Sequence, residues 1–127
     1  IAFTAKSNVG NYGFFRNWMF VLQRATGIIT FIFVVWHVWE TRMQVALGKD
    51  TVDYNMMVDI LSNPAMLAFY IIGVVAAVFH FANGLWTFCI TWGITVSPRA
   101  QQINTYVTMA IFLILSYVGV TALLAFV

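Results

Sequence analysis

Three long stretches almost free of acidic and basic side chains constrain this chain more than any other feature. Residues 18–39 carry one charge, Arg24, while residues 60–98 and 100–127 carry none. A hydrocarbon core of roughly 30 Å is crossed by about 20 helical residues rising about 1.5 Å each, so every one of these stretches can span a bilayer. A backbone in lipid must satisfy its own hydrogen bonds, and none of the stretches alternates apolar with polar residues as a barrel strand would. The expectation is an all-α fold, a transmembrane helix bundle with three membrane-spanning helices at approximately residues 17–42, 64–95 and 103–127. Composition agrees: 62% of the 127 residues are hydrophobic and 8% charged, a balance that the surface of a small soluble domain does not show. The connections are short and no internal repeat is visible, so residues 1–127 read as one bundle.

Between the first two spans lies an approximate interfacial segment, residues 44–63. Asp53 there is placed to cap a helix carrying Met56, Met57, Ile60 and Leu61 at helical spacing, which predicts a short interfacial helix. Pro64 suits the first turn of the second span, where its missing N–H costs nothing. Phe14, Phe15, Trp18 and Trp92 gather at one expected interface and Trp36 and Trp39 at the other, as an aromatic belt does. Lys6, Arg16, Arg24 and Arg99 fall on the side where the chain starts, against Arg42 and Lys49 opposite. The positive-inside rule therefore puts the start on the cytoplasmic side. The opening IAFTAK has no charged n-region or cleavage site and reads as the tail of a hydrophobic segment, so residues preceding it are expected. The single cysteine, Cys89, excludes an intrachain disulfide and any cysteine-based metal motif. A net charge of +2 with scattered basic residues excludes nucleic acid as a partner.

Chemistry is concentrated in three residues. Ionisable groups inside a span must face a partner, which singles out His37, His80 and Arg24. A neutral imidazole has one ring nitrogen free for a metal, and haem iron in a helix bundle takes histidines from facing helices, so His37 and His80 are the metal-ligand candidates. Gly73, Ala76, Ala77, Asn83 and Gly84 share the face of His80; nearly all are small, which suits a flat porphyrin or the close approach of another helix. His37 shares its face with Thr30, Phe33, Val34, Glu40 and Thr41. The two differ in depth: His37 lies roughly 3–5 Å below its interface and His80 roughly 15 Å below, an offset near 10 Å that is too large for one iron. Each then pairs with a histidine outside these residues, which implies two haems. Arg24, roughly 9 Å past Trp18, is placed to fork onto a haem propionate or to snorkel to the inner interface. No phosphate loop, paired intramembrane carboxylates or Ser/His/Asp set is present, which argues against hydrolytic chemistry. The alternative from another class is a non-redox membrane anchor or transporter fragment whose histidines only hydrogen-bond between helices.

The stretches FRNWMFVLQRATGIITFIFVVWHVWETR and FHFANGLWTFCITWGITVSPR resemble the cytochrome b membrane-anchor subunit of succinate dehydrogenase, of the Gram-positive bacterial type, and the likeness extends through the whole chain. The resemblance implies a five-helix subunit carrying two b haems on four axial histidines, of which this chain would supply the last three helices. It implies that His37 ligates the haem nearer the outer face and His80 the one nearer the cytoplasm. It further implies flavoprotein and iron–sulfur partner subunits in the bacterial cytoplasmic membrane, with electrons passed through the haems to menaquinone. Succinate itself would be oxidised elsewhere in the complex. Trp36, Trp39 and Glu40, near His37, are weak candidates for quinone contact or proton delivery.

Overall fold

The computed structural model describes the backbone of residues 14–127 and side chains from Trp18 onward. Lys6, the opening IAFTAK and the side chains of Phe14, Phe15 and Arg16 lie outside the described residues. Helix α1 runs Phe14–Val38, continues through a π-helical turn Trp39–Met43 and ends in a short piece, α2, Gln44–Ala46. Then follow α3 (Tyr54–Leu61), α4 (Pro64–Thr91) and α5 (Pro98–Leu124). Three helical segments, Trp18–Ala46, Pro64–Thr91 and Pro98–Leu124, are long and apolar enough to cross a membrane. The described residues form helices and no strands, and the protein is a multi-pass membrane protein.

Three helices start where a polar side chain takes an orphan backbone N–H. Asp53 Oδ1 accepts from Met56 N at 2.9 Å to open α3, Asn63 Oδ1 from Ala65 N at 3.0 Å to open α4, and Ser97 Oγ from Ala100 N at 3.0 Å to open α5. Pro64 and Pro98 occupy the first turns they suit. Several boundaries differ from expectation by three to five residues, two of them for a visible reason. Helix α5 begins at Pro98 rather than 103, because the Ser97 cap and Pro98 start a helix whose first turns hold the polar Gln101, Gln102 and Asn104; apolarity marks lipid contact, not helix limits. Helix α4 ends at Thr91 rather than 95, because the chain reverses through Gly93, whose φ of +71° lies in the left-handed region open to glycine.

The three long helices run up, down and up, with α4 central between α1 and α5. Pairings along α1 and α4 fix the antiparallel register: His37 meets Tyr70, Phe33 meets Gly73, Gly27 meets His80, and Gln23 meets Asn83. Against α5, Val74 meets Gly119, Phe79 stacks edge-on to Phe112 and Trp86 reaches Thr105. The end holding the start of α1 therefore also holds Arg99. At the opposite end, α3 folds under the bundle, and Leu61, Tyr70, Phe33 and Leu123 form a buried cluster with Met57, Ile60 and Phe126 packed round it. The half nearer the start of α1 is more open. An apolar groove of about 330 Å³ between Met19, Phe79, Ala82 and Phe112 continues into one of about 440 Å³ past Leu22, Thr26 and Ala76.

Candidate functional site: two histidine levels between α1 and α4

Both histidines lie in the seam between α1 and α4, at two separate levels of it. His80, on α4, turns its ring against Gly27 of α1. A Cβ added at Gly27 would fall 3.1 Å from His80 Cε1 and 3.5 Å from Nδ1, so the glycine makes the space the imidazole fills. His80 Nδ1 lies 3.1 Å from the Gln23 carbonyl oxygen and 3.4 Å from Thr26 Oγ1. A carbonyl can only accept, so Nδ1 carries the hydrogen and Nε2 keeps its lone pair. The Thr26 hydroxyl gives its own proton to the Leu22 carbonyl at 2.7 Å, leaving its oxygen free to share the ring N–H. Gln23 completes a clamp across the two helices. Its Nε2 donates to the His80 carbonyl at 3.3 Å, and its Oε1 accepts from Asn83 Nδ2 at 3.0 Å.

His37, on α1, is held by side chains instead. Its Nδ1 lies 3.1 Å from the Tyr70 hydroxyl, which donates to Glu40 Oε2 at 3.3 Å. With that single proton spent on Glu40, the tyrosine oxygen accepts from the ring, so this histidine also keeps its lone pair at Nε2. Phe33 stacks on the imidazole, centroids 5.8 Å apart and planes at 21°, and Tyr70 meets both rings edge-on. The π turn starts directly after this level. Thr41 Oγ1 donates to the His37 carbonyl at 2.6 Å, and Gln44 Nε2 donates to the Trp39 carbonyl at 3.2 Å where the regular ladder is interrupted.

Gly27 and His37 are ten residues apart on α1, and Tyr70 and His80 ten apart on α4, which separates the two imidazole levels by about 15 Å along the helices. The offset exceeds the 10 Å or so expected from sequence, and its direction is the same. The small face of His80 is occupied by α1: Phe33 lies over Gly73, and Gln23 approaches Gly84. In this seam the stripe serves helix approach. Arg24 reaches back one turn toward the start of α1, its Nη1 donating to the Phe20 carbonyl at 3.0 Å and its guanidinium carbon 3.4 Å from the Phe20 ring centroid. Trp36 and Trp39 are exposed, as belt residues are. Tyr70, Gln23, Thr26 and Gly27 were not among the expected site residues. A buried tyrosine reads as core, and only the register of α1 on α4 brings these groups to the histidines.

The donor chemistry suits a haem: two imidazoles, each with Nδ1 hydrogen-bonded to the protein and Nε2 as the remaining ring nitrogen, set at separate heights. Fold and site thus define a multi-pass membrane protein that keeps histidines between its helices. Residues 5–119 match the family of succinate dehydrogenase/fumarate reductase transmembrane subunits, and the chain belongs to that family. It is 64% identical over 127 residues to the succinate dehydrogenase cytochrome b558 subunit of Bacillus subtilis (strain 168). That match covers 100% of this chain and 62% of the relative, so the chain spans a little under two thirds of that protein's length. No solved structure matches the chain significantly.

Proposed function

We propose that this chain forms part of a haem-carrying membrane anchor that passes electrons from the iron–sulfur subunit of a succinate dehydrogenase through two b haems to menaquinone. The observation that carries the proposal is the pair of imidazoles in one helical seam, each held through Nδ1 and about 15 Å apart along it. The family and the cytochrome b name of the Bacillus subtilis relative support b haem as the group they would hold. Bound there, haem supplies a one-electron ferric/ferrous couple. The protein's part is to fix the ligand nitrogens, keep water away and set the charge around each imidazole. His37 would serve the haem nearer the outer face and His80 the one nearer the cytoplasm. The sequence holds only these two histidines, so any further histidine that would hold the haems lies outside these 127 residues. Arg24, on the inner half of α1, is the residue we assign to a propionate.

This reading places the start of α1 and Arg99 on the cytoplasmic side of a bacterial cytoplasmic membrane, facing the flavoprotein and iron–sulfur subunits. Both histidines also make the interhelical hydrogen bonds expected of a non-redox anchor or transporter fragment, so the test must be spectroscopic. A reduced-minus-oxidised visible spectrum of the complete subunit in detergent is expected to show two b-type components. His37→Ala should remove one of them and His80→Ala the other. A wild-type protein without a Soret band would overturn the proposal in favour of the anchor.

A further inference from the structure

Tyr70 has a hydroxyl that packing does not explain. The residue is 1% exposed, and its ring meets Phe33 at 5.2 Å and 88° and Phe69 at 6.2 Å and 73°, contacts a phenylalanine would make equally well. A buried hydroxyl is tolerated only where it is hydrogen-bonded, and this one is bonded on both sides, to His37 Nδ1 at 3.1 Å and to Glu40 Oε2 at 3.3 Å. It joins a carboxylate to an imidazole that the carboxylate does not touch.

We propose that Tyr70 is a positioning residue that transmits the negative charge of Glu40 to His37, making the outer imidazole a stronger electron donor at Nε2 than the inner one. The inference rests on the reading of His37 as a haem ligand. An Nδ1–H drawn toward an anionic chain gives the ring imidazolate character, raises the basicity of the opposite nitrogen and stabilises the ferric form of a ligated iron. The effect is carried through the hydroxyl of Tyr70, which is itself buried, so that charge is screened less there than in water. His80 lacks it, because its Nδ1–H ends on the neutral Gln23 carbonyl and the Thr26 hydroxyl. The hydroxyl also holds the tautomer that leaves Nε2 free.

The experiment is a potentiometric titration of the haem bands in the purified complete complex, for wild type, Tyr70→Phe, Glu40→Gln, the double variant and His37→Ala. Tyr70→Phe is expected to raise the midpoint potential of the haem whose band His37→Ala removes, leaving the other haem at its wild-type value. Glu40→Gln should shift the same haem in the same direction by less, since the neutral amide still accepts from the tyrosine. The double variant should shift it little further than Tyr70→Phe alone, because the relay is already cut. If His37→Ala removes a band but Tyr70→Phe leaves its potential unchanged, or moves both haems equally, Tyr70 is a packing residue and the inference is wrong. If His37→Ala removes no band, the ligand assignment itself has failed and the inference falls with it.

Discussion

The two ends of the α1–α4 seam reach one chemical result by different means. At the outer end, His37 is fixed by side chains: the Tyr70 oxygen accepts from its Nδ1–H, Glu40 accepts from the Tyr70 hydroxyl, and Phe33 lies on the ring. A buried cluster of Phe33, Leu61, Tyr70 and Leu123, closed by α3, surrounds that level. At the inner level, His80 is fixed chiefly by the carbonyl of Gln23, and an apolar groove opens past its neighbour Phe79. A side-chain hydroxyl can be deleted by one substitution, whereas a backbone carbonyl cannot. The outer level is therefore tunable by mutation and tightly packed. The inner level is robust in its hydrogen bond and loose in its surroundings.

The largest effect that would break this comparison is loss of the histidines themselves: each alanine substitution should abolish one spectral component and spare the other, as read in the difference spectrum. Packing should come next. At Gly73 an added Cβ would lie 2.3 Å from Phe33 Cγ and Cδ1, the rigid body of a ring, so Gly73→Ala is expected to destabilise the outer end by about 1–3 kcal/mol. Thermal unfolding in detergent would measure it, and a loss no larger than that of Gly27→Ala would contradict the tight-outer, loose-inner picture. Gly27→Ala meets His80 Cε1 at 3.1 Å, a contact that a small ring displacement relieves. It should cost less stability and shift the position of the inner haem band rather than erase it.

Smaller still is Gln23→Ala, which removes two interhelical hydrogen bonds, to the His80 carbonyl and from Asn83, but keeps the carbonyl that holds Nδ1. At about 0.6 kcal/mol for each such bond in a membrane, the loss should be roughly 1 kcal/mol with the inner band intact. Disappearance of that band would mean the side-chain clamp, not the carbonyl, secures His80. The smallest effect is expected from Trp86→Phe, which deletes the indole N–H bonds to Thr105 Oγ1 at 3.0 Å and the Gln101 carbonyl at 3.2 Å between α4 and α5. It should loosen that pair by well under 1 kcal/mol net and leave both bands unmoved, because the seam holding the histidines lies on the other side of α4.

The sequence made the three spans legible because lipid imposes length and apolarity together, and it showed the Asp53 cap and the Pro64 start because caps are local chemistry. It marked His37 and His80 because ionisable groups are rare in such segments. It could not show Tyr70 beside His37 or Gly27 beside His80. Periodicity tells which residues share one helix face, but the register of one helix on another depends on how Phe33 fills Gly73 and how Gln23 spans to Asn83. The π turn at Trp39–Met43 was equally hidden, since nothing in WETRM distinguishes it from ordinary helix. Nor did composition show that Phe33 and Gln23 of α1 lie over Gly73 and Gly84 on the small face of His80.

The equal ten-residue intervals on α1 and α4 have an evolutionary consequence. Because Gly27 faces His80 and Tyr70 faces His37, the two helices act as a double gauge of the height between the imidazoles. One residue inserted between these points on a single helix would swing a histidine by about 100° and lift it by about 1.5 Å, detaching it from its partner on the other. Length changes in this interval can survive only in matched pairs. Homologous subunits should therefore keep the same count of residues between the two imidazole levels.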